Sequence, residues 1–127
     1  MAFVEFRDVR KTYRMGDVEV HAVDGMDFDI EQGELVVIVG PSGAGKTTVL
    51  HHVAGVMRPD AGEVLVDGAP VFERPEVKER IAYVPSDFWF FRQARVGDLQ
   101  ALHASLFPRF DAVRFGALAG EFSLEAE

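Results

Sequence analysis

The chain has 127 residues, enough for one hydrophobic core, so it is one domain or a piece of a larger one. Its net charge of −8 argues against broad nucleic-acid contact, and the lack of cysteine excludes disulfides and thiolate metal sites. No apolar run approaches the ~20 residues of a membrane helix, and the N-terminal residues do not resemble a secretory signal. The sequence therefore predicts a soluble, cytoplasmic protein, a prediction compatible with docking on a membrane protein.

The first half of the chain predicts two antiparallel strands, a buried parallel strand and a helix. Residues 3–14 alternate apolar and polar side chains, residues 18–30 do so in part, and Met15-Gly16-Asp17 forms the turn between them. Residues 35–39 are apolar throughout, which is typical of a parallel strand covered on both faces. The helix that follows ends before the breaker sequence Arg58-Pro59-Asp60-Ala61-Gly62.

The second half predicts shorter elements. In chain order these are a strand at 63–66, a hairpin turn at Asp67-Gly68, a return at 70–72, one or two helical turns at 75–80, a strand at 81–84, and helices at 96–106 and 111–122. Gly116 and Gly120 weaken the last of these helices.

A single phosphate-binding loop joins the predicted parallel strand to the helix. It comprises Gly40, Pro41, Ser42, Gly43, Ala44, Gly45, Lys46 and Thr47, followed by Thr48. Its glycines allow backbone N–H groups to surround an anion at a helix N-terminus. Lys46 would reach the β- and γ-phosphates, and the Thr47 hydroxyl would bind Mg²⁺. The strand–loop–helix context favours nucleoside triphosphate binding over a chance glycine-rich loop.

Residues 3–85 resemble the N-terminal half of an ATP-binding-cassette (ABC) ATPase, because several separate signatures fall in order at the right spacing. The opening is most similar to lipoprotein-releasing and macrolide-type export ATPases, and residues 106–111 to ATPases of ABC-2-type exporters, so the subfamily stays open. The resemblance implies an α/β fold, a P-loop NTPase core with an antiparallel β subdomain. Residues 1–95 would form these parts, and residues 96–127 would begin the helical subdomain.

The resemblance also implies roles for residues outside the loop. Tyr13 occupies the position of an aromatic residue that stacks on adenine, and the alternative is an exposed aromatic at a strand end. Ser86 stands where the family carries a glutamine that contacts Mg²⁺ and the attacking water. Asp87 could take over that metal-side role, and the alternative is that Ser86 and Asp87 only form a turn after Pro85.

Four consecutive aromatic residues follow, namely Phe88, Trp89, Phe90 and Phe91. They cannot all face one core, whether the segment is extended or helical. In the family this region faces the transmembrane subunit, so the resemblance implies a docking surface. The alternative is packing against the predicted helix at 96–106.

Several parts of the family's catalytic machinery do not occur in this sequence. There is no LSGGQ-type signature, and the nearest mimic of the acidic strand ends in Asp67-Gly68, which predicts a hairpin turn. Lys46 is thus the one catalytic candidate, stabilising phosphate charge, and the general base is expected outside this chain. We expect the N-terminal portion of a nucleotide-binding domain, truncated within the helical subdomain, where the family's complete domain is about twice as long. Alone it would bind nucleotide without efficient hydrolysis and leave apolar strand surface uncovered.

The resemblance implies a function for the parent protein. It would be the ATP-binding subunit of an ABC transporter, using ATP and Mg²⁺, peripheral to the inner face of the cell membrane. Its partners would be a transmembrane permease subunit and a second nucleotide-binding domain, with no nucleic acid. The alternatives are a non-catalytic ATP-binding regulatory module and a soluble ABC ATPase.

Overall fold

The computed structural model describes residues 2–41, 43–86 and 93–124. The chain divides into two compact units, Met1–Tyr83 and Val84–Glu127, and each is described by itself. The division expected from the resemblance, after residue 95, concerns subdomains of the family and stays a prediction.

The first unit contains a four-stranded antiparallel sheet in the order β2-β1-β3-β4. Its strands are β1 Ala2–Met15, β2 Val18–Glu31, β3 Ala61–Val66 and β4 Ala69–Pro70. The predicted antiparallel pair is confirmed, with Tyr13 directly opposite Val20. The predicted hairpin turn is also confirmed, because Asp67 and Gly68 have φ angles of 51° and 75°, the positive values that a type I′ turn requires.

The core lies between this sheet and the helix α1, Lys46–Val53. Alternate residues of β1 (Val4 and Phe6) and the whole end of β3 (Val64, Leu65 and Val66) are buried. From α1, Val49 and His52 are buried in the same interior.

Two further contacts extend this core. Phe6 stacks on Phe28 of β2 with ring centroids 4.3 Å apart. The short helix α2, Pro75–Lys78, begins with proline as predicted and adds Val77 to the core.

The described residues of the second unit form two helices, α3 Val96–Leu106 and α4 Ala112–Glu121. Both were predicted to within a residue at each end. Carboxylates cap their N-termini, since Asp98 accepts from the Arg95 N–H at 3.0 Å and Asp111 from the Arg114 N–H at 2.9 Å. Among the described residues no helix has the length and apolar character needed to cross a lipid bilayer.

Two of the predicted strands are wrong. Residues 35–39 form no strand, and their side chains are 38% to 91% exposed rather than buried. Residues 81–84 also form no strand. A parallel strand is held by hydrogen bonds from neighbours distant in sequence, and no described strand pairs with either segment. The apolar surface that we expected to be uncovered is exposed along residues 35–39.

Candidate functional site

The phosphate-binding loop is fixed against the antiparallel sheet. Gly45 precedes α1 with a left-handed φ of 88°, and a Cβ atom on it would lie 2.3 Å from the carbonyl oxygen of Ala22 in β2. Only glycine fits this close approach. No side-chain hydrogen bond caps this end of α1, so its first N–H groups are available to a bound anion.

The loop lines a cavity of about 370 Å³. Its lining residues are Val20, Ala22, Gly43, Gly45, Lys46, Thr47 and Thr48. The structure thus brings together the predicted residues from Gly43 to Thr48, Ala44 excepted. Sequence reasoning missed Val20 and Ala22, although the register of the predicted hairpin, which places Val20 opposite Tyr13, could have indicated the first of them.

Lys46 lies across the loop, where its Nζ donates a hydrogen bond to the Gly40 carbonyl. The loop is closed by a second bond, from the Ala44 N–H to the Pro41 carbonyl at 3.1 Å. Ser42 lies outside the described residues. A phosphate oxygen carries negative charge and the Gly40 carbonyl does not, so a phosphate in the loop would offer the Lys46 ammonium a stronger acceptor than this carbonyl.

Tyr13 lies on the sheet beside this cavity. Directly opposed residues of antiparallel strands share one face, so Tyr13 is on the same face as Val20, which lines the cavity. Its hydroxyl donates to the Met57 sulfur at 2.9 Å, and the Lys11 ammonium lies 5.8 Å from its ring centroid. The half-buried ring is therefore held by contacts with Met57 and Lys11, and its stacking on a base stays a prediction.

Asp60 anchors the end of β1 just before Tyr13. Its carboxylate accepts hydrogen bonds from the Thr12 N–H at 2.8 Å and from the Lys11 ammonium at 3.1 Å. The Thr12 hydrogen bond, with the Lys11 hydrogen bond and charge, lowers the pKa of Asp60 below its ordinary value. Asp60 is therefore a charged anchor at neutral pH. Its sequence position had indicated only a helix stop.

The donor set fits Mg²⁺ brought by a nucleotide rather than a metal held by protein alone. The Thr47 side chain lies at the cavity, and the described part of the chain has no cluster of three acidic, histidine or cysteine residues able to hold a metal. Mg²⁺ commonly keeps several waters and binds to substrate phosphates with one or two protein ligands.

The remaining predicted site residues stay predictions. Ser86 is exposed and belongs to the second compact unit. Asp87 and the aromatic residues Phe88, Trp89, Phe90 and Phe91 lie outside the described residues.

Three other polar residues make contacts that are typical of structural roles. Asp67 lies in the hairpin turn and pairs with Arg80 at 2.9 Å, as expected of a residue without a catalytic role. The adjacent histidines contact different neighbours: His51 meets the Tyr83 hydroxyl at 3.1 Å, and His52 donates from Nδ1 to the Thr48 carbonyl at 2.6 Å.

Solved structures share this fold. The ATP-binding cassette MJ0796, in a dimeric post-hydrolysis state bound to ADP and Pi, superposes with a TM-score of 0.76 and 27% identity over 93% of this chain and 54% of that one. Another dimeric structure of MJ0796, described as a bacterial ABC transporter cassette, gives a TM-score of 0.77 at 26% identity, with the same coverage. The predicted fold class is confirmed.

Sequence relatives include ATP-binding proteins named for import and for export. The spermidine/putrescine import protein PotA of Nitrosomonas europaea is 43% identical over 77% of this chain and 26% of its own length. The SkfA peptide export protein SkfE of Bacillus subtilis is 33% identical over 72% of this chain and 36% of its own length. The chain thus spans about a quarter to a third of these relatives and about half of the solved cassettes. The ABC transporter family model matches residues 23–124, most of the chain, and the chain therefore belongs to the ABC transporter ATP-binding family.

Proposed function

We propose that the protein containing this chain is the ATP-binding subunit of an ABC transporter, and that residues 40–48 hold the phosphates of Mg²⁺-bound ATP. The observation that carries the proposal is the loop itself. One cavity lies at the uncapped N-terminus of α1 and is lined by Lys46 and Thr47. Val20 and Ala22 of β2 line it as well. This arrangement concentrates N–H donors and one ammonium group where a polyphosphate would lie.

The loop and Tyr13 have separate proposed tasks. Backbone N–H groups of the loop bind and orient the phosphates, Lys46 neutralises charge on the β- and γ-phosphates, and the Thr47 hydroxyl is a ligand for Mg²⁺. The bound metal ion supplies neutralisation of the phosphate charge. Tyr13, on the same sheet face as Val20, stacks on the base.

This chain binds nucleotide but does not hydrolyse it efficiently alone. No carboxylate is among the described residues that line the cavity, so the described site offers no general base beside the phosphates. In the parent protein, a second nucleotide-binding domain completes the site and a permease subunit at the inner face of the membrane receives the motion. The dimeric state of the solved cassettes supports the first partner.

Replacement of Lys46 tests the proposal. In the full-length protein, Lys46→Ala should weaken Mg-ATP binding at least about tenfold and lower ATP turnover by roughly 100-fold or more, because the phosphate charge loses its ammonium partner. Isothermal titration calorimetry and a phosphate-release assay measure the two effects. Lys78→Ala is the matched control, since Lys78 lies in α2 with its Nζ 4.8 Å from the Phe72 ring centroid.

The results separate the candidate functions. Equal ATP binding by the wild type and Lys46→Ala would refute the loop as the phosphate site. Tight ATP binding without turnover in the full-length protein would favour the non-catalytic regulatory module.

A further inference from the structure

The end of β1 that carries Tyr13 extends beyond the strand that supports the rest of β1. The pairing of β1 with β3 stops at Arg10 opposite Ala61, whereas its pairing with β2 continues to Met15 opposite Val18. Tyr13 therefore lies in a two-stranded ribbon. An isolated two-stranded hairpin is only marginally stable in water, so something else must fix the position of this ring.

Asp60 continues the ladder where β3 ends. Its N–H donates to the Arg10 carbonyl at 2.8 Å, and its carboxylate accepts from the Thr12 N–H at 2.8 Å. A side-chain oxygen thus satisfies a backbone donor of β1, the Thr12 N–H, which lies two residues past Arg10, the last residue of β1 paired with β3.

Two further contacts bring the same segment onto the ribbon. The Lys11 ammonium, on a side chain only 18% exposed, donates to Asp60 Oδ1 and to the Arg58 carbonyl, both at 3.1 Å. The Tyr13 hydroxyl donates to the Met57 sulfur. The segment 57–60 follows α1, and α1 starts at the phosphate-binding loop. Residues 46–60 therefore connect the phosphate-binding loop to the segment that contacts Tyr13.

We propose that Asp60 is a positioning residue for the nucleotide base: its carboxylate holds the Tyr13 ribbon at a fixed distance from the phosphate-binding loop. This inference rests on the proposed function, because it assigns Asp60 to the ATP site through Tyr13. Asp60 acts on the base alone. Phosphate binding depends on Lys46 and the loop, and Asp60 makes no hydrogen bond or ion pair with the described residues of that loop.

The test compares Mg-ATP with Mg-tripolyphosphate, which lacks the base, on the full-length protein. Titration calorimetry reports ATP binding, and ³¹P NMR reports the weaker tripolyphosphate binding. Loss of base stacking corresponds to about a fivefold or greater loss of ATP affinity. The loss measured for Tyr13→Ala is therefore the upper limit for the effect of Asp60→Ala. Asp60→Ala should weaken ATP binding by roughly threefold up to that limit and leave tripolyphosphate binding unchanged. In the Tyr13→Ala background it should have no further effect.

Glu63→Ala is the matched control. Glu63 lies three residues after Asp60, is similarly exposed (50% against 48% for the side chains) and pairs with Arg7 of the same strand β1 at 3.3 Å. Arg7 lies in the half of β1 that β3 already supports. Asp60→Asn, which keeps an oxygen for the Thr12 N–H and loses the charge, should show a smaller base-selective loss and serves if Asp60→Ala fails to fold.

Each other outcome overturns the proposal. Equal losses for both ligands would mean that Asp60 only stabilises the fold, and unchanged ATP binding would mean that Tyr13 is positioned without it. In either case the proposed function still holds if the wild type binds both ligands and Lys46→Ala weakens the binding of both. A wild type that binds neither ligand refutes the positioning role and the proposed function together.

Discussion

Two short valine-rich segments of this chain have opposite surroundings. The last three residues of β3, Val64, Leu65 and Val66, are 3% to 6% exposed. Residues 35–39, which are equally apolar, are 38% to 91% exposed. Burial at β3 follows from its partners, since β1 and β4 pair with it on either side and α1 contributes Val49 to the same core.

An apolar run therefore specifies a strand only where neighbouring strands are present to pair with it. The partners of β3 are antiparallel strands of the described sheet, one of them joined to it by a tight turn. A parallel strand needs partners reached through long crossover connections, and no described strand fills that place beside residues 35–39. The phosphate-binding loop follows this unsupported segment directly, yet one of its glycines, Gly45, packs against Ala22 of β2.

An aspartate placed singly in β3 or in residues 35–39 of the 127-residue chain should change the free energy of unfolding by very different amounts. Val66→Asp should lower the free energy of unfolding by more than about 4 kcal/mol, because it buries an unpaired carboxylate. Val37→Asp should change it by no more than about 0.5 kcal/mol, since the Val37 side chain is largely exposed. Urea denaturation followed by circular dichroism measures both.

The result for Val37→Asp can contradict the exposed position of residues 35–39. A loss approaching that of Val66→Asp would show that residues 35–39 are buried in solution. The same substitution should also be measured in the full-length protein, because a large loss of stability found only there would show that further strands cover this segment.

Most of the fold could be predicted because its signals are local. Alternation over residues 3–14 and 18–30, the turn at Asp67-Gly68 and the proline at the start of α2 each act within a few residues. The strand predicted at residues 35–39 failed because its formation depends on partners far along the chain.

The site could be predicted in part for the same reason. Its loop residues are consecutive, so one motif finds them together. Ala22 was missed because it meets Gly45 through a backbone carbonyl, which every residue possesses and no sequence pattern distinguishes. Asp60 was missed because a short polar residue after proline is typical of a turn, and its bond to Thr12 depends on the tertiary arrangement of β1.

Two glycines of the loop test whether β2, rather than the exposed segment, holds the loop in place. Gly45→Ala should lower the free energy of unfolding by about 2 to 4 kcal/mol, since it combines a positive φ with a clash against the Ala22 carbonyl. Gly43→Ala should cost only about 1 kcal/mol, because Gly43 has a φ of 82° but no atom within 4 Å of an added Cβ. Thermal denaturation compares the two variants, and equal losses would contradict a loop held by β2.

The smallest effect concerns a polar residue inside the buried region. The His52 ring is completely buried, and its Nε2 has no hydrogen-bond partner among the described residues. A buried unsatisfied polar atom costs about 1–3 kcal/mol, more than the ~1 kcal/mol that the Nδ1 bond to Thr48 contributes. His52→Leu should therefore raise the free energy of unfolding by about 1 kcal/mol in urea titrations. His51→Leu, which removes the bond to the Tyr83 hydroxyl, should lower it by about 0.5–1.5 kcal/mol. Destabilisation by His52→Leu would instead show that Nε2 has a hydrogen-bond partner such as an ordered water. His52 would then place no unsatisfied polar atom in the core beside β3.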